Sequence, residues 1–250
     1  SKGSSSREED FIEYIYSASM HSTMMFFTQK GRCYWLKVYQ IPEGNKASKG
    51  RAIQNVLNID ADDKVNAFVH VKQLQDAEFN QSHFLVFCTK QGVIKKTSLE
   101  AYSRPRQNGV NAITIREDDQ VIEVLLTSGN DEILMANRNG RAIRFNENKV
   151  REMGRTATGV RGMTLDEDDP MDEVIGMIAV SPDSKDNILV VSELGYGKRS
   201  DLEDYRITNR GGKGVKTMNI TDKTGLLVAI KNVTDENDLM IINKSGVVIR

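Results

Sequence analysis

The stretch "LMANRNGRAIR", Leu134 to Arg144, sets a glycine between two short strand-like runs. The first run is apolar and the second alternates, a period of two rather than 3.6. A lone glycine between two such runs marks a tight turn, because glycine takes the positive φ that these turns need. The figure recurs in "FFTQKGRCYW" (Gly31), "VFCTKQGVIKK" (Gly92), "VVSELGYGKR" (Gly195) and "MIINKSGVVIR" (Gly246). Four residues beyond each glycine stand Trp35, Lys96, Arg144, Arg199 and Arg250, cations in all but the first.

A second glycine ladder advances with the first. It runs through "NKASKGRAI" (Gly50), "RPRQNGVNAI" (Gly109), "RTATGVRGM" (Gly159) and "NRGGKGVKTM" (Gly214). Each is followed by a strand-like run that closes at Ile59, Ile115, Leu165 or Ile220. An acidic turn comes next, "DADD" from Asp60, "REDD" from Arg116 and "DEDD" from Asp166, with the weaker "TDKT" from Thr221. Two ladders in step at a period of roughly 50–60 residues define an internal repeat.

Several short strands per unit, and no helix of three turns, predict an all-β chain. "TSLEAYSR" and "SDLEDYR" begin on the cap-like residues Thr97 and Ser200 and allow one turn each. A small sheet cannot cover both of its faces alone, so neighbouring units must stack, as in a β-propeller or a close variant. The expected organisation is a single repeat domain over 1–250, with units at 11–60, 65–116, 121–166, 174–221 and a partial one at 226–250. The fifth unit stops halfway through its hairpin, so either the chain is truncated or an N-terminal strand closes the ring. Residues 1–10 are expected to be flexible, and the polar start, which lacks an initiator Met, reads as the edge of an expressed segment.

Composition narrows the function. The 250 residues are 39% hydrophobic and 28% charged, with a net charge of −1, so a nucleic-acid role requires charge segregated onto one face. No apolar run is long enough to span a bilayer. Cys33 and Cys88 lie in apolar strands and read as buried free thiols, with no call for an oxidising compartment. The Walker pattern fails, since Gly212-Lys213 is followed by Gly214 and preceded five residues earlier by Ile207. "GYGKRS" lacks the third glycine of a dinucleotide loop, with Ser200 in its place. His21, His70 and His83 have no metal-ligand spacing, and Asp62-Asp63 and Asp168-Asp169 read as solvated turns. No nucleophile with a nearby base stands out, so no catalytic or metal residue is expected.

What remains is cations on glycine-rich turns. The candidate set is Lys46, Lys49 and Arg51 in the first loop, Arg104 and Arg106 in the second, and Arg155 and Arg161 in the third. The fourth, "TNRGGKGVK", offers Arg210, Gly211, Gly212, Lys213, Gly214 and Lys216. The hairpins add Arg32, Lys95, Lys96, Arg141, Arg144, Lys198 and Arg199. Glycine lets backbone N–H groups approach a phosphate, and Lys or Arg neutralises it. In register, such slots suit a curved polyanion held through its backbone without base readout. The acidic turns are then expected on a different surface. A protein-interaction propeller, with a mixed rim, and a propeller enzyme, with a site at the central channel, are the other readings.

Three stretches carry a resemblance: "EEDFIEYIYSASMHSTMMFFTQKGRCYWLKVYQIPE", "TSGNDEILMANRNGRAIRFNENKVREMGRTATGVRGMTL" and "GYGKRS". They resemble the C-terminal DNA-wrapping domain of bacterial DNA gyrase A; the paralogous domain of topoisomerase IV is the nearest alternative. The resemblance implies a six-bladed β-pinwheel with strands exchanged between blades, one blade being incomplete here. It implies duplex DNA on a basic outer edge, in support of ATP-dependent negative supercoiling. The implied partners are duplex DNA and the rest of gyrase A, joined with gyrase B in a heterotetramer, in the bacterial cytoplasm and away from membranes. No cofactor is implied within these residues; ATP, Mg²⁺ and the catalytic groups belong to other parts of the assembly. The family also carries a motif similar to Q-R-R-G-G-K-G, normally just ahead of the "EEDF" region. Lys2-Gly3 is either its remnant or added sequence, and Asn209–Gly214 resembles a further copy lacking the leading glutamine.

Overall fold

The computed structural model describes residues 22–41, 53–236, 241–242 and 248–249. The first unit supplies β1 (Thr23–Thr28), β2 (Arg32–Lys37) and β3 (Val65–Val71). The second supplies β4 (Phe84–Thr89), β5 (Val93–Ser98), β6 (Val110–Asn111) and β7 (Val121–Thr127). The third supplies β8 (Glu132–Asn137), β9 (Arg141–Asn146), β10 (Val160–Arg161) and β11 (Val174–Val180). The fourth supplies β12 (Asn187–Ser192), β13 (Gly197–Asp201), β14 (Val215–Lys216) and β15 (Leu227–Val233); β16 (Ile241–Ile242) and β17 (Val248–Ile249) form one more hairpin. The all-β expectation holds, with α1 (Ile53–Val56) and α2 (Ala77–Ser82) the two short α-helices among the described residues. None of the described helices is long and apolar enough to cross a membrane.

The hairpins of the four units turn the same way. Gly31, Gly92, Gly140 and Gly195 all have φ near +90°, from 88° to 90°. The glycine N–H donates back to Thr28, Thr89, Asn137 or Ser192, respectively. The N–H after the glycine donates to the side-chain oxygen of that same residue. A short polar side chain three residues before the glycine is therefore part of the turn, a second signal beside the glycine itself.

The sheets are antiparallel, in the orders β3-β1-β2-β6, β10-β5-β4-β7, β11-β8-β9-β14 and β13-β12-β15. Two features depart from a simple repeat. First, β3 lies in the unit expected at 65–116, yet it pairs with β1. β7, β11 and β15 likewise return to β4, β8 and β12. The acidic turn read as the end of a unit is thus a corner inside a sheet, because a hairpin needs its own return strand to cover its free edge. Second, the fourth strand of each complete sheet comes from the following unit. β6 pairs with β2, β10 with β5 and β14 with β9. β3 packs on β7, β7 on β11, and β11 on β15. The return strands therefore converge, and the exchanged strands occupy the opposite, outer edges.

The cores lie between blades. One joins Met25, Phe27 and Val69 of the first unit to Leu85, Phe87, Tyr102 and Val124 of the second. A second joins Val86, Cys88 and Ile94 to Ile133, Met135 and Phe145. A third joins Leu134 and Ala136 to Ile188, Val190 and Leu202. β1, β4 and β8 are central strands covered on both faces, which is why "TMMFFT", "FLVFCT" and "EILMAN" are apolar almost throughout. Cys33 and Cys88 are buried and unbridged, and burial raises both thiol pKa values.

Candidate nucleic-acid interface

Glycine performs a structural task at the outer edge. The carbonyl of Gly31 accepts from Ala112 and Ile113, that of Gly92 from Gly162 and Met163, and that of Gly140 from Thr217 and Met218. A Cβ on these glycines would lie 2.5 Å from the carbonyl oxygens of Ile113, Met163 and Met218. On the other side of the joint, a Cβ on Gly109 or Gly159 would fall 2.8 Å from Cys33 O or 2.6 Å from Ile94 O. The two ladders are thus the two halves of one joint. The hairpin glycine of one unit receives the strand that follows the loop glycine of the next. Gly214 belongs to this set, and the Gly211 N–H is spent on Gly162 O at 2.7 Å. These two glycines are seats for a neighbouring strand.

The residue four beyond the hairpin glycine also differs from expectation. Trp35 Nε1 donates to Tyr102 O at 3.1 Å. Lys96 Nζ lies 3.4 Å from Glu147 O and 3.3 Å from its carboxylate. Arg144 Nη1 donates to Leu202 O and Tyr205 O at 3.0 and 3.2 Å. All of these acceptors lie in or at the end of a short 3-10 turn of the next unit. In these three units the position supplies a side-chain N–H that reaches one blade onward, which indole, ammonium and guanidinium can each provide, whereas Arg199 on the same rung bonds Asn187 and Asp235. Lys96 and Arg144 are only 6% and 4% exposed. They are therefore corrected from the expected DNA-facing set to inter-blade hooks. The first turn residues Thr97 and Ser200 are corrected too, since the caps are Ser98 and Asp201, one residue later.

Lys95 is the third correction. It is fully buried, and its ammonium reaches Ala112 O at 2.6 Å, Arg155 O, and the Tyr102 hydroxyl at 3.4 Å. Its Nζ also stands 5.0 Å from the centre of the Phe87 ring. Burial, helped by the Arg155 charge, brings its pKa from 10.5 down to about 7.

Four arginines are half committed. Arg32 donates to Asn108 O, and Arg141 to Lys213 O and Gly214 O. Arg155 donates to Asn111 O, and Arg210 to Lys149 O and Arg161 O. Each ties a loop to the exchanged-strand region of a neighbouring unit and stays at least partly exposed. Arg104, Arg106, Arg161, Lys198 and Lys216 have no side-chain hydrogen bond or ion pair among the described residues. Lys213 stands 3.9 Å from Glu167, an exposed pairing of little weight. Arg199 pairs with Asp235 at 2.7 Å. The N–H groups of Gly212 and Lys213 make no hydrogen bond among the described residues and sit in the exposed part of their loop. Arg104, Arg106 and Arg155 border one open concavity with Trp35, Glu100 and Val110. Lys46, Lys49 and Arg51 lie outside the described residues.

The acidic turns are not on a separate surface. Asp63, Asp119 and Asp172 accept the backbone N–H of Lys30, Gln91 and Asn139 at the hairpin tips. Lys30 also pairs with Asp62. A hairpin tip has amides with no strand partner, and a carboxylate on the adjacent corner satisfies them. Negative charge is therefore interleaved with the hairpin cations, while the exchanged-strand loops carry the exposed Arg104, Arg106, Arg161, Lys213 and Lys216.

The comparisons with known proteins agree with this geometry. A family model described as "DNA gyrase C-terminal domain, beta-propeller" matches residues 22–72, 83–128, 131–181 and 186–234. These segments run from each hairpin to its own return strand. The chain is 45% identical over 249 residues to the DNA gyrase A protein of Staphylococcus aureus (strain NCTC 8325 / PS 47) and spans 27% of that relative's length. A solved DNA gyrase A C-terminal domain matches with a TM-score of 0.77 at 22% identity, over 99% of this chain and 79% of that one. A C-terminal domain of DNA topoisomerase IV matches with a TM-score of 0.73 at 26% identity, over 86% of this chain and 65% of that one.

Proposed function

The chain belongs to the DNA gyrase C-terminal domain family, and from that premise we propose that it binds duplex DNA along the outer edges of its blades. The DNA contacts are to phosphates, so binding tolerates sequence and weakens steeply with salt. In the whole protein the bent duplex is presented to the catalytic parts of gyrase A and gyrase B, in support of ATP-dependent negative supercoiling. ATP, Mg²⁺ and the strand-cleaving chemistry lie in those other parts, and the assembly is a cytoplasmic heterotetramer.

One observation carries the reading. Exposed cations recur on the exchanged-strand loops of successive blades: Arg104 and Arg106, then Arg161, then Lys213 and Lys216. The clamping arginines Arg32, Arg141, Arg155 and Arg210 add partly exposed charge beside them. In the loop that resembles the family motif, the N–H groups of Gly212 and Lys213 are exposed and unbonded among the described residues, and so are free for a phosphate. Bending a short site costs on the order of 1–6 kcal/mol, which several phosphate contacts per blade must offset. The identity to gyrase A favours this assignment over the topoisomerase IV relative.

The test is duplex binding titrated against salt. A steep inverse dependence, equal on unrelated sequences, is expected. A flat response would reject the reading and favour a protein-interaction module.

A further inference from the structure

Lys95 is a buried cation without a carboxylate in hydrogen-bonding reach among the described residues, and its ligands come from two units. Its own strand, β5, belongs to the second sheet. Ala112 O lies just past the strand donated to the first sheet, and Arg155 O lies in the loop of the third unit. Tyr102 donates its hydroxyl to the same Ala112 oxygen at 2.8 Å. The second unit, close to the strand it lends to the first sheet, and the loop of the third unit therefore meet at one ammonium. Immediately outside it, the Arg155 side chain donates to Asn111 O and borders the concavity shared with Arg104 and Arg106.

We propose that Lys95 is a proton-linked latch beneath the Arg104–Arg106–Arg155 cluster, and that a duplex phosphate settling on the cluster draws a proton onto it. This deepens the DNA-binding reading and rests on it. A protonated Lys95 makes charge-assisted bonds to Ala112 O and Arg155 O, fixing the loop that presents Arg155. A neutral amine keeps only weaker bonds to the same carbonyls. The titratable groups that act on it are Tyr102 and Arg155, with Cys33 acting on Tyr102: burial holds the phenol and the thiol neutral, and Arg155 opposes the ammonium. Phosphate beside Arg155 cancels that opposition and raises the affinity of Lys95 for its proton. By linkage the protonated domain then binds DNA more tightly. The position of Lys95 on its titration curve, at about 7, makes the coupling active near neutral pH.

Calorimetry of the full chain with a duplex of mixed sequence tests this at fixed salt, pH 7.5, in two buffers of different ionisation enthalpy. Net proton uptake on binding is expected, and Lys95→Met should abolish it while His70→Gln and His83→Gln retain it. NMR titration of the Lys95 side chain in the unaltered protein, without DNA, gives an arm that does not depend on the variant folding. Titration near pH 7 is expected. If Lys95 titrates at its ordinary value, or if uptake is absent or survives Lys95→Met, the latch is overturned. If no duplex binds under low salt while Lys95 titrates near pH 7, the DNA-binding reading fails and the latch falls with it.

Discussion

The carbonyl oxygen of Gly140 accepts the N–H of Met218, and a Cβ at Gly140 would lie 2.5 Å from the Met218 carbonyl. Residues 78 apart in sequence thus share a joint that only a residue without a side chain can make. Gly195 has the same positive φ but nothing within 4 Å of its would-be Cβ. Gly195→Ala should bear the conformational penalty alone, about 1–2 kcal/mol. Gly140→Ala should bear that penalty and also displace the exchanged strand, so its urea midpoint should fall clearly further. Equal losses would show that the joint adds nothing.

Removing the hook at Arg144 should destabilise the fold. Arg144→Met leaves Glu132, 3.7 Å away and buried, without its countercharge. A loss of about 3–5 kcal/mol is expected. Duplex affinity per folded molecule should stay close to that of the unaltered protein. A marked loss of affinity with full stability would return Arg144 to the DNA contacts.

The exposed set should behave in the opposite way. Arg161→Ala, Lys213→Ala and Lys216→Ala should leave the unfolding midpoint nearly unchanged. Each should reduce the slope of log affinity against log salt by about 0.9 per contact removed. The loss should be alike on unrelated sequences; discrimination by one of them would point to base contacts.

Trp35 is the only tryptophan in the chain and borders the concavity between Arg104, Arg106 and Arg155. Duplex binding should therefore change its fluorescence, and adding salt should reverse the change. Trp35→Phe keeps an aromatic ring but loses the bond to Tyr102 O, and should cost about 1 kcal/mol. A silent indole at saturating DNA would place the duplex elsewhere.

The pKa of Lys95 gives stability a pH dependence with a defined sign. It lies at about 7 in the folded chain and near 10.5 when exposed. Between those values the unfolded chain binds more protons, so the stability contributed at this site rises as pH climbs from about 7 toward 10.5. Thermal unfolding of the unaltered chain should gain on that of Lys95→Met across the window. A constant difference would mean that Lys95 does not titrate there.

Legibility differed by residue. Gly31, Gly92, Gly140 and Gly195 announced their hairpins because a positive φ is a local requirement, visible wherever glycine interrupts a strand pattern. The loop cations Arg161, Lys213 and Lys216 are exposed, as a polar glycine-rich turn allows. Lys95, Lys96 and Arg144 looked the same in sequence and are buried. A cation on a strand can face solvent or a neighbour's carbonyl, and nothing within its own unit distinguishes the two. One clue was available: Trp35 occupies the same rung as Lys96 and Arg144, and what the three share is an N–H rather than a charge.

Sequence alone determined the repeat, the strands and the turns, because those follow from local backbone preference and from the period of apolar side chains. Only the tertiary structure decided which strand completes which sheet, since β6, β10 and β14 are two residues each and carry no pattern of their own. Their pairing is set by the open edge offered by the preceding unit. That edge also decides which lysines and arginines keep their charge in water and which spend it holding blades together.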